Sequence, residues 1–414
     1  KVASRAGLRQ MRIAESEKYA HVTYFLNGGR EQPFPGETGA RIPSPRGIPF
    51  DRVPELSLPR VGEEVLRGLR AGYDLIVANF ANGDVLGHTQ NREAKVTCAA
   101  VVDGFLGQVL DAARALDYVT LVTADHGNLE ELVRPDGKPH VAHTANPVPF
   151  ILVDPRASAP AVLRDGKLAD VAPTVLAALG LPAPALMTGE VLVPGYDWGG
   201  RRRVLLLILD GWGLGASDDT NPIWLAGTPV WDALLEQAPW SRLQAAGEAV
   251  GLRPGKPGNS EAGHMNLGAG RVVLQDDVRL DLAMQDGTFH SNAVLCNAID
   301  RVKERDASLH LIGLLTEKSS HGSIDYPLAL LRMAAARHLD RVHLHLIFDG
   351  RSTDPGSAPA LLEKLDRQVD DVGVGQIVTG MGRGFALDRD GDYGKTQRAY
   401  DALVFGTGVP YAAA

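Results

Sequence analysis

The segment Val-Leu-Leu-Leu-Ile-Leu-Asp-Gly-Trp-Gly, residues 204–213, joins six aliphatic residues directly to an acidic turn. Such a run is typical of a strand that is buried on both faces of a sheet. Longer amphipathic stretches separate it from similar short runs at residues 74–79, 119–124, 149–153, 309–312 and 342–348. This alternation predicts an α/β fold in which helices flank a mostly parallel sheet.

Helical periodicity is clear in two of the stretches between these runs. In residues 93–116, apolar side chains recur every three to four positions, and residues 168–179 form a second predicted helix that ends before Gly180. Residues 194–203 contain one proline, three glycines and three arginines instead. This composition fits either a linker or an ordinary surface loop.

The length and charge of the chain limit the class of protein. With 414 residues we expect two or three domains. The chain has 42 basic and 50 acidic residues and a net charge of −8, which argues against a nucleic-acid partner. Its longest strongly aliphatic run has six residues, whereas a membrane span needs about 20. Because the first residues also lack the apolar core of a signal peptide and there are only two cysteines, we expect a cytoplasmic protein.

Six acidic and imidazole side chains lie close to the ends of predicted strands. They are Asp84, His88, Asp125, His126, His143 and Asp210. Ligands of open α/β sheets bind at the carboxyl ends of the strands. We therefore expect the groups that follow residues 74–79, 119–124 and 204–209 to converge on one edge of the sheet. Taken singly, each of these side chains has an ordinary explanation as a turn or a helix cap.

Three carboxylates and three imidazoles, without a thiolate, suit divalent ions such as Mn²⁺, Zn²⁺ or Co²⁺. Asp84 and His88 are four residues apart, so that one helical turn or a compact loop brings both to one ion. Together with a serine, Ser260, these side chains are too many for one tetrahedral ion. They fit two ions that clamp a phosphoryl group.

Ser260 lies in the segment Gly-Asn-Ser-Glu-Ala-Gly-His, residues 258–264, and is a candidate nucleophile. The flanking glycines let the backbone approach a ligand closely. A serine hydroxyl is a poor nucleophile near neutral pH unless a base or a metal ion lowers its pKa, and a two-ion site would do so. Without that context, the same segment would be only an Asn-Ser cap at the start of a helix.

Several longer segments resemble one known family, the cofactor-independent phosphoglycerate mutases of the alkaline phosphatase superfamily. Residues 204–213, 258–264 and 268–273 (GAGRVV) resemble the early part of that family. The segments that resemble its later part are 12–25 (RIAESEKYAHVTYF), 82–89 (NGDVLGHT), 123–130 (TADHGNLE) and 142–150 (AHTANPVPF). The two parts therefore stand here in circularly permuted order.

The resemblance implies roles for individual residues. One divalent ion would be held by Asp210, Ser260, Asp125 and His126, and the other by Asp84, His88 and His143. Ser260 would be transiently phosphorylated, and Lys18 would lie beside the ions. The residues that would hold the phosphoglycerate are His321, Arg351, Arg383 and Arg389. Among the ions, Mn²⁺ is expected ahead of Zn²⁺, Co²⁺ and Mg²⁺.

The resemblance also implies two domains. Residues 1–275, including the possible linker at 194–203, would form an alkaline-phosphatase-like metal-binding domain. Residues 276–414 would form a smaller α/β transferase domain that binds the substrate. The family's transferase domain continues beyond the point that matches residues 406–408, with a segment that holds two more substrate arginines, so this domain is expected to be incomplete.

Two motifs depart from the family pattern. An acidic residue that follows the family's Asp-Gly-Arg is Ser352 here, and a Gly-Gly turn before the substrate histidine is replaced within residues 317–320. A serine cannot move protons near pH 7 as a carboxylate can. These changes suggest either weakened mutase chemistry or another phosphorylated or phosphonate substrate.

The expected reaction is the glycolytic interconversion of 3-phosphoglycerate and 2-phosphoglycerate through phosphoserine at Ser260. Two other readings stay open: a metal-dependent phosphatase, in which water takes the phosphoryl group, and a non-catalytic binding module. The intact set of metal-ligand side chains argues against the binding module. The expected partner is a small phosphorylated three-carbon acid, without nucleic acid or membrane, and the family resemblance favours a monomer.

Overall fold

In a computed structural model, the protein folds into two compact units, unit 1 (1–275) and unit 2 (276–414). The structure describes residues 1–157, 161–317, 319, 322–354, 356–388 and 391–410. Each unit has its own cluster of buried apolar side chains. We therefore describe each unit by itself.

Unit 1 is built on a large sheet. Its described strands are β1 Gln10–Glu15, β2 Glu37–Ile42, β3 Leu75–Phe80, β4 Tyr118–Thr123, β5 Val148–Val153, β6 Gly166–Lys167, β7 Arg203–Leu209 and β8 Trp240–Gln244. Their spatial order is β2-β1-β3-β7-β4-β5-β8-β6. Among them, β5 alone runs opposite to the others, since it pairs in antiparallel fashion with both neighbours. The prediction of a mostly parallel sheet flanked by helices is confirmed.

The described helices of unit 1 flank this sheet, which is typical of a mostly parallel sheet. They are α1 Val2–Arg5, α2 Leu58–Arg70, α3 Asn82–Gly87, α4 Arg92–Ala115, α5 Val171–Ala178, α6 Pro222–Leu225, α7 Pro229–Gln237 and α8 Ser260–Ala269. A π-helical turn spans His21–Phe25, and 3-10 turns span Phe50–Arg52, Leu168–Asp170 and Gly247–Val250.

Helix α4 has enough length and apolar character to cross a membrane. In the structure it packs on the sheet instead, with Cys98, Val102 and Leu106 in the core of unit 1. The same buried face contains the polar residues Lys95 and Asp103. The apolar character of α4 is therefore explained by its burial in the core of unit 1.

Strand β7 is the centre of the parallel part of the sheet. Its residues pair with β3 from Leu75↔Val204 to Phe80↔Leu209, and with β4 along the other side. Because the three strands are parallel and in register, their carboxyl ends lie at the same edge. We call this edge the carboxyl edge.

Residues 194–203 lie within unit 1 and lead directly into β7. The hydroxyl of Tyr196 donates a hydrogen bond to Asp154, at 3.0 Å. Arg202 is buried and forms an ion pair of 2.9 Å with the same carboxylate. In this structure the segment therefore has ordered contacts within unit 1.

Unit 2 is a smaller α/β unit. Its described strands are β9 Leu309–Leu315, β10 Val342–Phe348 and β11 Gln376–Gly382, and they form a parallel sheet in the order β11-β10-β9. Its described helices are α9 Asp276–Gln285, α10 Ala293–Glu304, α11 Asp325–Ala336, α12 Ala358–Val372, α13 Arg383–Ala386 and α14 Tyr393–Phe405. The prediction of a second, smaller α/β unit is confirmed.

Candidate functional site

A dense group of polar side chains lies at the carboxyl edge of unit 1. Asp84 comes from α3, which follows β3, and Asp210 follows β7 directly. Asp125 and His126 follow β4, and Lys18 lies three residues beyond the end of β1. Because each of these residues follows a parallel strand, the sheet itself brings together groups that are up to 192 residues apart.

Lys18 is at the centre of this group. Its Nζ atom lies 2.6 Å from Asp84 Oδ2, 2.7 Å from Asp210 Oδ1 and 2.7 Å from Ser260 Oγ. The ammonium group is thus a shared donor for two carboxylates and the hydroxyl. Lys18 is almost fully buried, so these contacts are sheltered from solvent.

Ser260 is the first residue of α8. Asn259 precedes it and caps the helix, since its side chain accepts a hydrogen bond of 2.8 Å from the amide of Ala262. The Oγ atom of Ser260 lies 2.9 Å from His126 Nε2, in addition to its contact with Lys18. A helix N-terminus stabilises negative charge, so the position suits a group that carries a phosphoryl anion.

Two more histidines approach Asp84 from the other side. His143 Nε2 lies 3.0 Å and His88 Nε2 lies 3.3 Å from Asp84 Oδ1. The two histidines are themselves 3.2 Å apart at their Nε2 atoms. His88 is the more exposed of the two, with 47% of its side chain accessible against 20% for His143.

The donor atoms have the spacing of metal ligands. Two groups of three have their ligand atoms within 4.8 Å of one another: Asp84 with His126 and His143, and Asp125 with Asp210 and His264. Within them, Asp125 Oδ2 is buried and accepts no hydrogen bond from the residues that the structure describes. Carboxylates and imidazoles are donors that Mn²⁺, Zn²⁺ and Co²⁺ accept. The residues present therefore fit divalent ions.

The charges in the site shift several pKa values. Burial alone would lower the pKa of Lys18, but the carboxylates of Asp210 and Asp84 outweigh burial and raise it. Burial likewise opposes ionisation of Asp84, but Lys18 and hydrogen bonds from the histidines hold the pKa of this carboxyl well below its usual range. Lys18 is thus charged and the Asp84 carboxylate is ionised near neutral pH.

Two residues of the site had no predicted role. His264 lies one turn after Ser260 on α8, and its Nδ1 atom is 3.2 Å from Asp125 Oδ2. Asn79, inside β3, donates a hydrogen bond of 2.6 Å to Asp210 Oδ2. The i, i+4 spacing of Ser260 and His264, and the single amide within the apolar run of β3, are signals that the sequence offered for both.

The predicted phosphoglycerate-binding residues belong to unit 2. Arg351 is exposed and lies just after β10, while Arg383 begins α13 after β11 and pairs with the buried carboxylate of Asp349. Both therefore lie at carboxyl ends of parallel strands, where ligands of α/β sheets bind. The other two, His321 and Arg389, lie outside the described residues.

Two family models match the chain. The model of the metalloenzyme superfamily matches residues 1–183, and that of the BPG-independent PGAM N-terminus (iPGM_N) matches residues 280–414. Together the two matched ranges cover about three quarters of the chain. The model that is named for an N-terminus thus matches the C-terminal third of this chain.

Curated relatives match at high identity over part of their length. The 2,3-bisphosphoglycerate-independent phosphoglycerate mutase of Moorella thermoacetica is 52% identical over 192 residues, which are 46% of this chain and 37% of the relative. The enzyme of the same name from Syntrophotalea carbinolica is 50% identical over 194 residues, 46% of this chain and 38% of the relative. The chain thus spans less than two fifths of the length of these relatives.

A solved structure is similar over a comparable share. The crystal structure of Leishmania mexicana phosphoglycerate mutase at low cobalt concentration is 30% identical to this chain, with a TM-score of 0.42, over 46% of this chain and 38% of that one. The family models and the curated relatives agree with each other. By these matches, residues 1–183 are similar to the metalloenzyme superfamily and residues 280–414 to the N-terminus of the BPG-independent phosphoglycerate mutases, and part of the chain is about 50% identical to enzymes named 2,3-bisphosphoglycerate-independent phosphoglycerate mutase.

Proposed function

We propose that the protein is a metal-dependent phosphoglycerate mutase, which interconverts 3-phosphoglycerate and 2-phosphoglycerate through phosphoserine at Ser260. The observation that carries the proposal is the position of Ser260 Oγ, 2.7 Å from Lys18 Nζ and 2.9 Å from His126 Nε2 at the start of α8. The names of the curated relatives support the same activity. With it we propose a cytoplasmic, glycolytic monomer.

We assign the metal-binding role to the predicted side chains. Asp210, Ser260, Asp125 and His126 would hold one divalent ion, and Asp84, His88 and His143 the other, with Mn²⁺ as the preferred ion. The proximity of His264 Nδ1 to Asp125 Oδ2, at 3.2 Å, makes His264 a further candidate. Bound ions would lower the pKa of the serine hydroxyl and neutralise charge on the phosphoryl oxygens.

The chain's own residues have separate roles in the two steps of phosphoryl transfer. Ser260 Oγ loses its proton and forms a bond to phosphorus while the bond between phosphorus and the 3-oxygen of glycerate breaks, and that oxygen takes up the proton. In the second step the 2-hydroxyl of glycerate loses its proton and attacks the phosphoserine, the bond between phosphorus and Ser260 Oγ breaks, and Ser260 Oγ takes up the proton. Lys18 donates a hydrogen bond to Ser260 Oγ throughout, and the N-terminus of α8 stabilises the phosphoryl charge.

Unit 2 would hold the phosphoglycerate through His321, Arg351, Arg383 and Arg389. Arginine binds carboxylate and phosphate with two parallel hydrogen bonds, which fixes the orientation of a small acid. In this structure Arg383 pairs with Asp349 through one guanidinium nitrogen, Nη1. The substrate would therefore have to replace this carboxylate as the partner of Arg383.

The test is ³¹P NMR of 3-phosphoglycerate with the metal-depleted protein, before and after Mn²⁺ is added. Mn²⁺-dependent appearance of 2-phosphoglycerate is the expected result. If inorganic phosphate were the only product, the activity would be that of a phosphatase and not of a mutase. No metal-dependent change would point to another substrate, as Ser352 and the altered residues 317–320 suggest.

Replacement of the nucleophile makes the test specific. Ser260→Ala removes the only hydroxyl that the proposal uses, so both turnover and phosphoenzyme should disappear. Ser217→Ala, at an exposed serine outside the site, is the matched control and should retain full activity. Turnover by Ser260→Ala above the level of the metal-depleted protein would rule out the assignment of the nucleophile.

A further inference from the structure

Unit 2 contains a group of three histidines on one face of its sheet, which we call the histidine cluster: His310 on β9, and His343 and His345 on β10. Successive side chains of a strand point to opposite faces, so that His343 and His345, two residues apart, share a face. His310 is the cross-strand partner of His343 in the parallel register. The backbone alone therefore places the three imidazoles side by side.

The three imidazole rings are in contact with one another or with a neighbouring strand. His310 Nδ1 lies 2.9 Å from His345 Nε2, and the centroids of these two rings are 5.2 Å apart. The ring of His343 lies 5.1 Å from that of His310. On the far side, His345 Nδ1 is 2.8 Å from the hydroxyl of Thr379 on β11. Each of the three strands thus contributes to one polar patch.

The cluster is separate from the apolar core of unit 2. That core lies on the other face of the sheet, where Leu344 and Leu346 of β10 are buried. On the cluster face His310 is exposed, His343 is half-buried and His345 is buried. Solvent therefore reaches the cluster at His310, on the edge strand β9.

One ring nitrogen of the histidine cluster is available to a ligand. His343 Nδ1 is buried and has no hydrogen-bond partner among the residues that the structure describes. A buried polar atom without a partner is uncommon and indicates a place where an ion or water is bound.

We propose that the histidine cluster binds one transition-metal ion of the class that prefers imidazole, such as Zn²⁺, with the remaining position open to water. The described groups that already have three donor atoms within 4.8 Å are the two in unit 1, so binding requires the ring of His343 to turn. His343 Nδ1 has no hydrogen bond to a described residue, so the turn breaks none at that atom, and the ion would replace the contact between His310 Nδ1 and His345 Nε2.

The chemistry of the donors predicts which ion binds. Three imidazoles and a water form a common tetrahedral set for Zn²⁺, whereas Mn²⁺ prefers oxygen ligands. The cluster should therefore bind Zn²⁺ and leave Mn²⁺ to the oxygen-rich site of unit 1. The histidine cluster shares no residue with the proposed phosphoryl-transfer site. The test of this inference is therefore independent of the test of the proposed function. A bound ion would tie the edge strand β9 to the central strand β10.

The experiment counts Zn²⁺ in the full chain. The metal-depleted protein is dialysed against Zn²⁺, and bound zinc is measured by inductively coupled plasma mass spectrometry for wild type, His310→Ala and His290→Ala. His290 is an exposed histidine elsewhere in unit 2 and provides the matched control. We expect His310→Ala to lose one equivalent of zinc that wild type and His290→Ala retain.

Isothermal titration gives the affinity. Loss of a direct ligand should weaken this one site at least about 100-fold, since even residues that only support a ligand change metal affinity by 10–100-fold. Titration with Mn²⁺ should give the same stoichiometry for all three proteins. Equal zinc content in wild type and His310→Ala would overturn the proposal, as would equal loss in His290→Ala.

A second variant, His343→Ala, tests the ring that must turn, with circular dichroism as the check on folding. If it folds, it should lose the same equivalent of zinc, and full retention would overturn the proposal. If it does not fold, the zinc content of His310→Ala alone tests the proposal, because His310 is exposed on the edge strand.

Discussion

Lys18 shows how one residue balances the charge of the candidate site. Its ammonium group contacts two carboxylates and Ser260 within 2.7 Å, in a buried position. Lys18→Met would leave Asp84 and Asp210 without this cation. Because an uncompensated buried charge costs about 3–5 kcal/mol, the metal-depleted variant should be destabilised by about that amount. Thermal unfolding by circular dichroism measures the change.

Divalent ions should reverse part of this loss. A cation that binds the same carboxylates replaces the charge of Lys18, so Mn²⁺ should raise the melting temperature of Lys18→Met more than that of wild type. Lys138→Met removes a lysine whose side chain is 75% exposed and is the control. An equal effect of Mn²⁺ on wild type and Lys18→Met would contradict this role of Lys18.

Lys95 provides a prediction on pH dependence. It is buried in α4, and its Nζ donates a hydrogen bond of 2.7 Å to the carbonyl of His140. Burial lowers the pKa of Lys95 from 10.5 to about 8. Between these values the unfolded chain binds more protons than the folded one, so the contribution of Lys95 to stability rises with pH from about 8 to about 10.

The variant Lys95→Met has no such titration. The free energy of unfolding of wild type relative to Lys95→Met should therefore increase by up to about 3 kcal/mol between pH 8 and pH 10, since one pKa unit corresponds to about 1.4 kcal/mol. Urea unfolding at several pH values measures the difference, with Lys138→Met as the control. A difference that is flat over this range, or that falls, would contradict the assignment.

The residues that the sequence did and did not indicate differ in where they lie along the chain. Asp84, Asp125 and Asp210 each follow an apolar strand, so the strand itself marked them. His264 and Asn79 lie inside regular elements, where a polar residue is usually a matter of local packing or solvation. These two residues come close to the carboxylates only through the tertiary fold, so the chain alone does not reveal that contact.

At the scale of elements, the close approach of α3 to the turn after β7 sets the position of Asp84. Gly211 has a φ of 72°, and a Cβ atom there would lie 2.6 Å from the amide nitrogen of Asp84. Gly211→Ala must therefore adopt a left-handed backbone, which costs about 1–2 kcal/mol, and push α3 away. We expect lower stability together with weaker Mn²⁺ binding, measured by urea unfolding and titration calorimetry.

Gly104→Ala is the matched control for this variant. Gly104 is exposed on α4, and a Cβ atom there meets nothing within 4 Å. Alanine favours a helix over glycine by about 1 kcal/mol, so this variant should be more stable than wild type and should bind Mn²⁺ unchanged. Normal Mn²⁺ affinity in Gly211→Ala would show that α3 does not depend on this approach.

The strands that the sequence predicted are those in which most residues are apolar. The predicted run at 342–348 coincides with β10, and that at 204–209 differs from β7 by one residue. Strand β1 was not predicted because three of its six residues, Gln10, Arg12 and Glu15, are polar and buried. It therefore lacks the continuous apolar run that predicts a strand. Some of these groups have contacts with distant parts of the chain, such as the ion pair of Arg12 with Glu37 at 3.4 Å.

At the scale of the whole molecule, the two units are separate in their cores and in their proposed tasks. Unit 1 contains the candidate ligands of the phosphoryl-transfer site, and unit 2 contains the arginines that would hold the phosphoglycerate. The resemblance of long motifs, rather than any spacing, suggested this division. Residue periodicity alone would have assigned both units to the α/β class and left their tasks open.

This division leads to a prediction for residues 1–275 alone. The segment has its own sheet and apolar core, so we expect it to fold by itself. With Mn²⁺ it should hydrolyse a generic phosphate monoester such as p-nitrophenyl phosphate, because the proposed nucleophile and metal ligands are all present. Without the arginines of unit 2, glycerate is not retained, and water should take the phosphoryl group.

The measurement follows p-nitrophenol release by absorbance and the conversion of 3-phosphoglycerate by ³¹P NMR, for the segment and the full chain. Hydrolysis by the segment should depend on Mn²⁺ and disappear in Ser260→Ala. If the segment formed 2-phosphoglycerate as fast as the full chain, the arginines of unit 2 would not be the substrate-binding residues. If it folded but hydrolysed nothing, the phosphoryl-transfer site would itself require unit 2.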